Sequence, residues 1–311
     1  TFTHVTEFII FGFPGLQNFN NLLSCVFLCI YLFTLSGNGF IFFLVIFDRH
    51  LHTPMYFFVS NLSFIDITYT SVTIPKMLAK FLMNLDTISF TACFVQMYFF
   101  LSLGATDCYL LAVMAYDRYV AICSPLHYQT IMTRKLCIIL SMAAWCVGFA
   151  SPLTGTILAL KLPYCGPNIL YHYYCDIDPL LSLACADIFL NMAVRVFHER
   201  RCRFFNHFCN CYILHKDYFN NLQDSSKGGR KKTFSTCASH FTVVSIAFLP
   251  GLFVYLCPTN FLSAEVNSLV AMLYTVLPPM MNPIIYSMRN KDIKMAFQRK
   301  IGLIKSSLAT E

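Results

Sequence analysis

The sequence predicts an all-α membrane protein, a bundle of seven transmembrane helices with a short amphipathic helix in its cytosolic tail. Three observations predict it. Of 311 residues, 57% are apolar and only 12% are charged, whereas about a quarter of a soluble domain is charged. The apolar residues come in uninterrupted runs rather than at amphipathic spacing, and the longest exceed the ~20 residues that a helix needs to cross the hydrocarbon. Lys and Arg are concentrated in alternate connections, as in a multi-pass chain. The same figures exclude disorder, collagen, a coiled coil and a small disulfide scaffold. A large soluble α/β enzyme fails on the distribution of the apolar residues.

Taken in order, residues 1–21 form an extracellular N-terminus, and the first span covers about 22–47, without a charge. The second, about 55–78, holds Asp66, and the third, about 93–118, holds Asp107. The fourth (about 136–160) and seventh (266–288) carry no charge, and the sixth covers about 238–258. A cytosolic tail, 289–311, closes the chain. A fifth span is expected over about 187–212, because a long gap separates Cys185 from Phe241. It starts apolar and then meets Arg195, Glu199, Arg200, Arg201 and Arg203, with Lys216 and Asp217 beyond. At the bilayer centre each Arg costs roughly 2.5–3.5 kcal/mol, and no partner for them is visible in the sequence. The fifth helix is therefore atypical and charge-rich. His198, Cys202, His207, Cys209, Cys211 and His215 match no standard zinc spacing, so no metal site is expected there.

Orientation follows from the basic residues. With the first connection inside, Arg49, Arg118, Arg134, Lys135, Lys227, Arg230, Lys231, Lys232 and the six from Arg289 to Lys305 are cytosolic, 14 of the 22 Lys and Arg. Lys76, Lys80 and Lys161 lie outside, so the N-terminus is expected to be extracellular. Only a fifth crossing puts Lys227–Lys232 and the basic tail on the same side as Arg49, Arg118 and Arg134. The net charge of +7 then describes an inner rim facing anionic lipid and implies no nucleic-acid partner. No signal peptide precedes the first span, and a start at Thr1 reads as a trimmed or partial sequence. No internal repeat of the transporter kind is present. The triplet Asn61-Leu62-Ser63 lies inside the second span and should go unglycosylated.

Four strings go beyond composition: Leu51-His-Thr-Pro-Met-Tyr-Phe-Phe58, Met114-Ala-Tyr-Asp-Arg-Tyr-Val-Ala-Ile-Cys123, Phe234-Ser-Thr-Cys-Ala-Ser-His240 and Pro279-Met-Met-Asn-Pro-Ile-Ile-Tyr-Ser-Met-Arg-Asn290. In this order, and over nearly the whole chain, they resemble an odorant receptor, a branch of the rhodopsin-like G-protein-coupled receptors. Phe13-Pro-Gly15, Ala184-Cys-Ala-Asp-Ile188 and Pro250 resemble its class I branch, whereas His52-Thr53-Pro54 and Ser287-Met-Arg-Asn290 resemble class II. The resemblance implies a receptor that binds a small odorant in the outer half of the bundle. It would activate a heterotrimeric stimulatory G protein and raise cyclic AMP. An enzyme is not expected, since no nucleophile–base constellation or phosphate-cradling loop appears. The fifth segment has an ordinary length for this family, so a compensating pair of frameshifts near Val194 and Asn220 would explain its composition.

The resemblance also implies roles for residues. Asp117 would hold Arg118 at rest, with Tyr119 beside it, and activation would swing Arg118 toward an entering G-protein helix. A lone Arg there would read as a snorkelling anchor. His240 opens the sixth span, and Asn282-Pro283-Ile-Ile-Tyr286 places a helix breaker near the inner end of the seventh. Asp66 and Asp107 are intramembrane carboxylates, functional by default, and the family arrangement brings them face to face with Asn38 and Asn282 nearby. Either one is protonated or a cation, sodium by preference, sits between them. No other cofactor is expected.

Cys93 begins the third span, while Cys165, Cys175 and Cys185 lie in the long outer loop on the oxidising side. Sequence alone leaves three pairings open; the resemblance implies Cys93 with Cys175 and Cys165 with Cys185. By the same analogy, Phe100, Leu101, Gly104, Ala105 and Cys108, at spacings of three and four, face the ligand. That face would serve equally as helix-packing core. Gly251, Tyr255 and Thr275 would complete a site for a small, mostly apolar molecule. Three rivals remain: an ion transporter or channel using Asp66 and Asp107, a non-functional product of a broken gene, and a same-fold receptor for a non-odour metabolite.

Overall fold

The computed structural model describes residues 5–165, 167–198, 200, 245, 264–289 and 291–308. Helix α1 covers Asn20–Phe47, and at 28 residues it is about 42 Å long. Helix α2 covers Pro54–Met83, with proline in its first turn and Asn84 closing it in the left-handed conformation at φ +54°. Asparagine tolerates that conformation, and its N–H satisfies the carbonyl of Lys80. Helix α3, Phe90–Cys123, is capped by Ser89, whose hydroxyl accepts from the Ala92 N–H at 3.2 Å.

A single turn, α4, follows at Tyr128–Ile131. The fourth crossing comes in two pieces, α5 at Arg134–Ala150 and α6 at Leu153–Leu160. They are interrupted at Pro152, which has no N–H to continue the ladder. The short helix α7 spans Ile177–Leu181 in the loop after α6, α8 covers residues 189–198, α9 covers Ala264–Arg289 and α10 covers Lys291–Leu308.

Among the described residues, four helices are long and apolar enough to cross a membrane: α1, α3, the α5–α6 pair, and α9 over Ser268–Tyr286. Helix α2 is equally long but more polar. Its Thr68, Thr70 and Ser71 hydroxyls donate to carbonyls one turn back at 2.7–2.9 Å, which satisfies them without water. Asn61 likewise donates to the Phe57 carbonyl at 2.9 Å and accepts from Ser141 and Trp145 on α5.

At one end of the bundle three short strands form a sheet in the order β2-β1-β3. Strand β1 (Glu7–Ile10) runs antiparallel to β2 (Thr87–Ser89) and parallel to β3 (Ile169–Leu170). Period-2 alternation buries Phe8 and Ile10 and leaves Glu7 exposed. Phe8 stacks on Phe90 at 5.7 Å and meets Tyr164 edge-on at 5.9 Å. Lys76 donates to the Leu85 and Thr87 carbonyls at 2.9 and 2.6 Å, and Lys80 to that of Ile10, so both lysines pin this cap.

The opposite end carries the short connections and α10. There Asp48, 6% exposed, accepts from Arg299 at 2.9 Å, and the Tyr56 hydroxyl donates to Asp292 at 3.0 Å. Ile293 and Ala296 of α10 are buried, while Lys294, Met295 and Phe297 are exposed.

The expectation that the charges after Val194 lack partners is corrected at its first members. Arg195 pairs with Asp178 of α7 at 2.6 Å, and His198 hydrogen bonds the Ser151 hydroxyl at 2.9 Å. Chain proximity hides these partners, which lie 17 and 47 residues away. The rest of the expected fifth span, with Arg201, Arg203 and the Cys/His cluster from Cys202 to His215, lies outside the described residues. So does nearly all of the expected sixth.

Candidate functional site

The site is built in three storeys along α3. At the sheet end, Cys93 in the first turn of α3 is bonded to Cys175, with Cα atoms 5.4 Å apart, and Cys165 to Cys185 at 5.9 Å. Gln96, one turn below Cys93, accepts from the Cys175 N–H at 3.0 Å and donates to the Val72 carbonyl of α2 at 2.8 Å. The long loop between α6 and α8 is thus fastened over the sheet end of the bundle.

From it, fully buried Tyr173 and Tyr174 descend between the helices. The Tyr173 hydroxyl bonds Thr275 of α9, and Tyr174 lies 4.4 Å from the Phe100 ring of α3. Tyr69 of α2 also stacks on Phe100 at 4.9 Å. A Cβ on Gly104 would stand 3.6 Å from the Tyr69 ring. Burial pushes both loop tyrosines above the ordinary phenol value and holds the neighbouring His172 below the ordinary imidazole value, so all three are neutral at pH 7.

The expected ligand-facing residues divide in two. At about 100° per residue, Phe100 and Ala105 lie 140° apart around α3. Phe100 joins the core of Phe13, Phe27, Tyr173 and Tyr174, while Ala105 and Cys108 pack with Tyr109 in a separate group. Leu101 is half-buried between the cores at the sheet end. Gly251 and Tyr255 lie outside the described residues.

The middle storey is polar. Asn282 of α9 donates to the Asp66 carboxylate at 2.9 Å. Asn38 of α1 donates to the Pro279 carbonyl at 2.8 Å and to Thr34 at 3.1 Å. Asp107 lies within electrostatic range of Asp66. Among the described residues, Asp107 Oδ1, Asn38 Oδ1 and the Tyr286 hydroxyl are shut off from solvent without a hydrogen-bond partner. No group of three or more potential metal-ligating side chains occurs among the described residues.

At the basic end, Arg118 donates from Nε to Asp117 Oδ2 at 3.0 Å, and its Nη2 bonds the same oxygen. Tyr128, in α4, donates to the other carboxylate oxygen at 2.7 Å. Burial, and then that bond to Asp117, raise the Tyr128 phenol, so it remains a donor. Tyr119 is half-buried against the core of Leu110, Met114 and Tyr286. Pro283 is buried against α1, where a Cβ on Gly37 would stand 3.0 Å from its ring. His240 lies outside the described residues.

Sequence reasoning missed Gln96, Tyr128, Gly37 and the tyrosine pair. Gln96 had a usable signal, a polar residue on the same face as Cys93 and Phe100. Tyr128 had none, because a break after Cys123 destroys the helical register that would have placed it beside Asp117.

A protein-family model described as "Olfactory receptor" matches residues 27–303. The human "Olfactory receptor 6N1" is 47% identical over 303 residues, covering 97% of each chain. The human "Olfactory receptor 11H7" is 43% identical, with 94% of this chain and 93% of its own covered. The mouse "Olfactory receptor 5G9" is 43% identical, with 98% and 97% covered. Helices of membrane-spanning length and a closely matching sequence from end to end lead to one assignment: the chain belongs to the olfactory receptor family, multi-pass G-protein-coupled receptors of odorants and not enzymes.

Proposed function

We propose that this receptor binds a small, mostly apolar odorant beneath the disulfide-tethered outer loop and passes the event to Arg118. The contact residues beneath the loop are Phe100, Leu101, Gly104 and Thr275, joined on the family resemblance by Gly251 and Tyr255; Ala105 and Cys108, which pack with Tyr109 apart from Phe100, stand outside this group. Binding shifts the population toward a state in which Arg118 leaves Asp117. A stimulatory G protein then docks on the basic end, and cyclic AMP rises. The N-terminus is extracellular, which the basic residues at the opposite end support. Asp66 and Asp107 would hold a sodium ion in the resting state, which would offset two buried carboxylate charges, a reading supported by the unpartnered oxygens of Asp107 and Asn38.

The observation that carries this reading is the contact of Tyr173 and Tyr174 with Thr275 and Phe100. It couples a loop fastened to α3 to two of the residues expected to meet the ligand. The alternatives of a broken-gene product or a receptor for a non-odour metabolite are not favoured, since the match to olfactory receptors runs through 303 residues.

The test is a cyclic AMP assay on the full chain at measured surface level, against an odorant panel. An evoked response is expected, abolished by Arg118→Ala and shifted by tenfold or more in effective concentration by Phe100→Ala. No response from a surface-expressed receptor to any panel member, or an undiminished response in Arg118→Ala, would overturn the reading.

A further inference from the structure

At the basic end, α1, α2 and α5 enclose a groove of about 720 Å³. Its edges carry Ile46, Phe64 and Ile138, each more than 40% exposed, so in a membrane it opens to lipid rather than water. Its depth is aromatic, with Phe42, Phe57 and Trp145 in the wall. The polar side chains there are already engaged: Asn61 Oδ1 accepts from Trp145 Nε1 at 3.3 Å and Ser141 at 3.1 Å, its amide donates to the Phe57 carbonyl, and the Ser60 hydroxyl donates to that carbonyl at 2.9 Å. Such a wall suits a hydrocarbon chain and offers no polar group to a polar ligand.

The mouth has the opposite character. It is formed by His52, Thr53 and Pro54, where α2 begins, and by Arg134, the first residue of α5. Two helix N-termini therefore present their positive ends beside an exposed guanidinium. No carboxylate lines the groove, and among the described residues Arg134 has no acidic partner. An apolar channel with a cationic mouth is complementary to an anionic amphiphile. A sterol would fill the apolar part and leave the cationic mouth unmet.

We propose that this groove is a specific site for one anionic diacyl phospholipid, an acyl chain lying along Phe42, Phe64 and Trp145 and the phosphate meeting Arg134. The inference goes beyond the receptor reading and depends on no odorant.

Trp145 is the single Trp of the chain and lines the groove, so it reports occupancy. The experiment places the full chain in phosphatidylcholine nanodiscs containing a small share of brominated-acyl phosphatidylserine, or the same share of brominated-acyl phosphatidylcholine, and measures Trp145 quenching. An apparent preference of about fivefold for the serine lipid is expected, the size of one basic residue's attraction to an anionic lipid surface. Arg134→Gln should reduce it to the choline value. Lys135→Gln, the same charge loss one residue outside the groove, should retain most of it. Equal quenching by the two lipids overturns the proposal, and so does equal loss in both variants, which would mark bulk surface charge. Displacement of the quencher by unbrominated sterol but not by unbrominated phosphatidylserine would give the groove to a sterol instead.

Discussion

Asn282 of α9 donates its side-chain amide to the Asp66 carboxylate of α2 at 2.9 Å, joining residues 216 positions apart in the middle of the bundle. Asn282→Ala removes that donor from a buried carboxylate and should cost about 1–3 kcal/mol. It would be seen as a lowered midpoint of thermal unfolding in detergent. The proposed ion adds a second outcome: sodium chloride should raise the midpoint relative to choline chloride in the wild type and not in Asp66→Asn. An unchanged sodium response in Asp66→Asn would place the ion elsewhere.

The Asp117–Arg118 pair is the restraint proposed for the resting state. Asp117→Asn replaces a charged acceptor by a neutral one and should weaken the hold on Arg118 by about 1 kcal/mol, a population shift of about fivefold. Basal cyclic AMP, normalised to surface receptor, should rise accordingly. A fall at equal surface level would mean that the pair belongs to the signalling state.

Two glycines give opposite expectations. A Cβ on Gly148 of α5 would lie 2.7 Å from Thr106 Cα and 2.8 Å from its N on α3, contacts that only a backbone shift relieves. Gly148→Ala should therefore destabilise by about 1–3 kcal/mol. Gly39 of α1 has nothing within 4 Å of that position, and Gly39→Ala should be neutral or stabilise by roughly 0.5–1 kcal/mol, since alanine loses less freedom in a helix. Paired melting curves check both.

Asp48 ties α10 to the first connection. Burial works to raise its pKa, but the hydrogen bonds from Arg299 and from the His50 N–H and ring, with the Arg299 charge, bring it down to about 2 from 3.8. A depressed folded value means that the contact contributes fully above 3.8 and is lost as pH falls toward about 2. Hydrogen exchange in α10 should stay slow down to about pH 4 and quicken below it. Arg299→Gln should show the faster exchange already at pH 7.

Among the described residues, the apolar helices α1, α3, α5–α6 and α9 fall on long apolar runs of the sequence, because lipid leaves the backbone no alternative: such a run must satisfy its own hydrogen bonds. The motif residues Asp66, Asn282, Asp117 and Arg118 were legible for the related reason that a polar side chain in hydrocarbon needs a partner. Sequence resemblance, rather than spacing, supplied the pairings of Cys93 with Cys175 and Cys165 with Cys185.

Tertiary structure decided what depends on chain ends meeting across space. The sheet joining residues 7–10 to the loops at residues 87–89 and 169–170 rests on backbone hydrogen bonds, which carry no sequence code in segments of two to four residues. The descent of Tyr173 and Tyr174 onto Phe100 and Thr275, the partner of Arg195 in Asp178, and the split of the α3 face at Ala105 all follow from the angles at which helices cross. Those angles are set by small contacts such as Gly148 against Thr106 and Gly37 against Pro283. A local hydrophobic pattern fixes that a helix crosses the membrane; close packing between helices fixes which side chains meet.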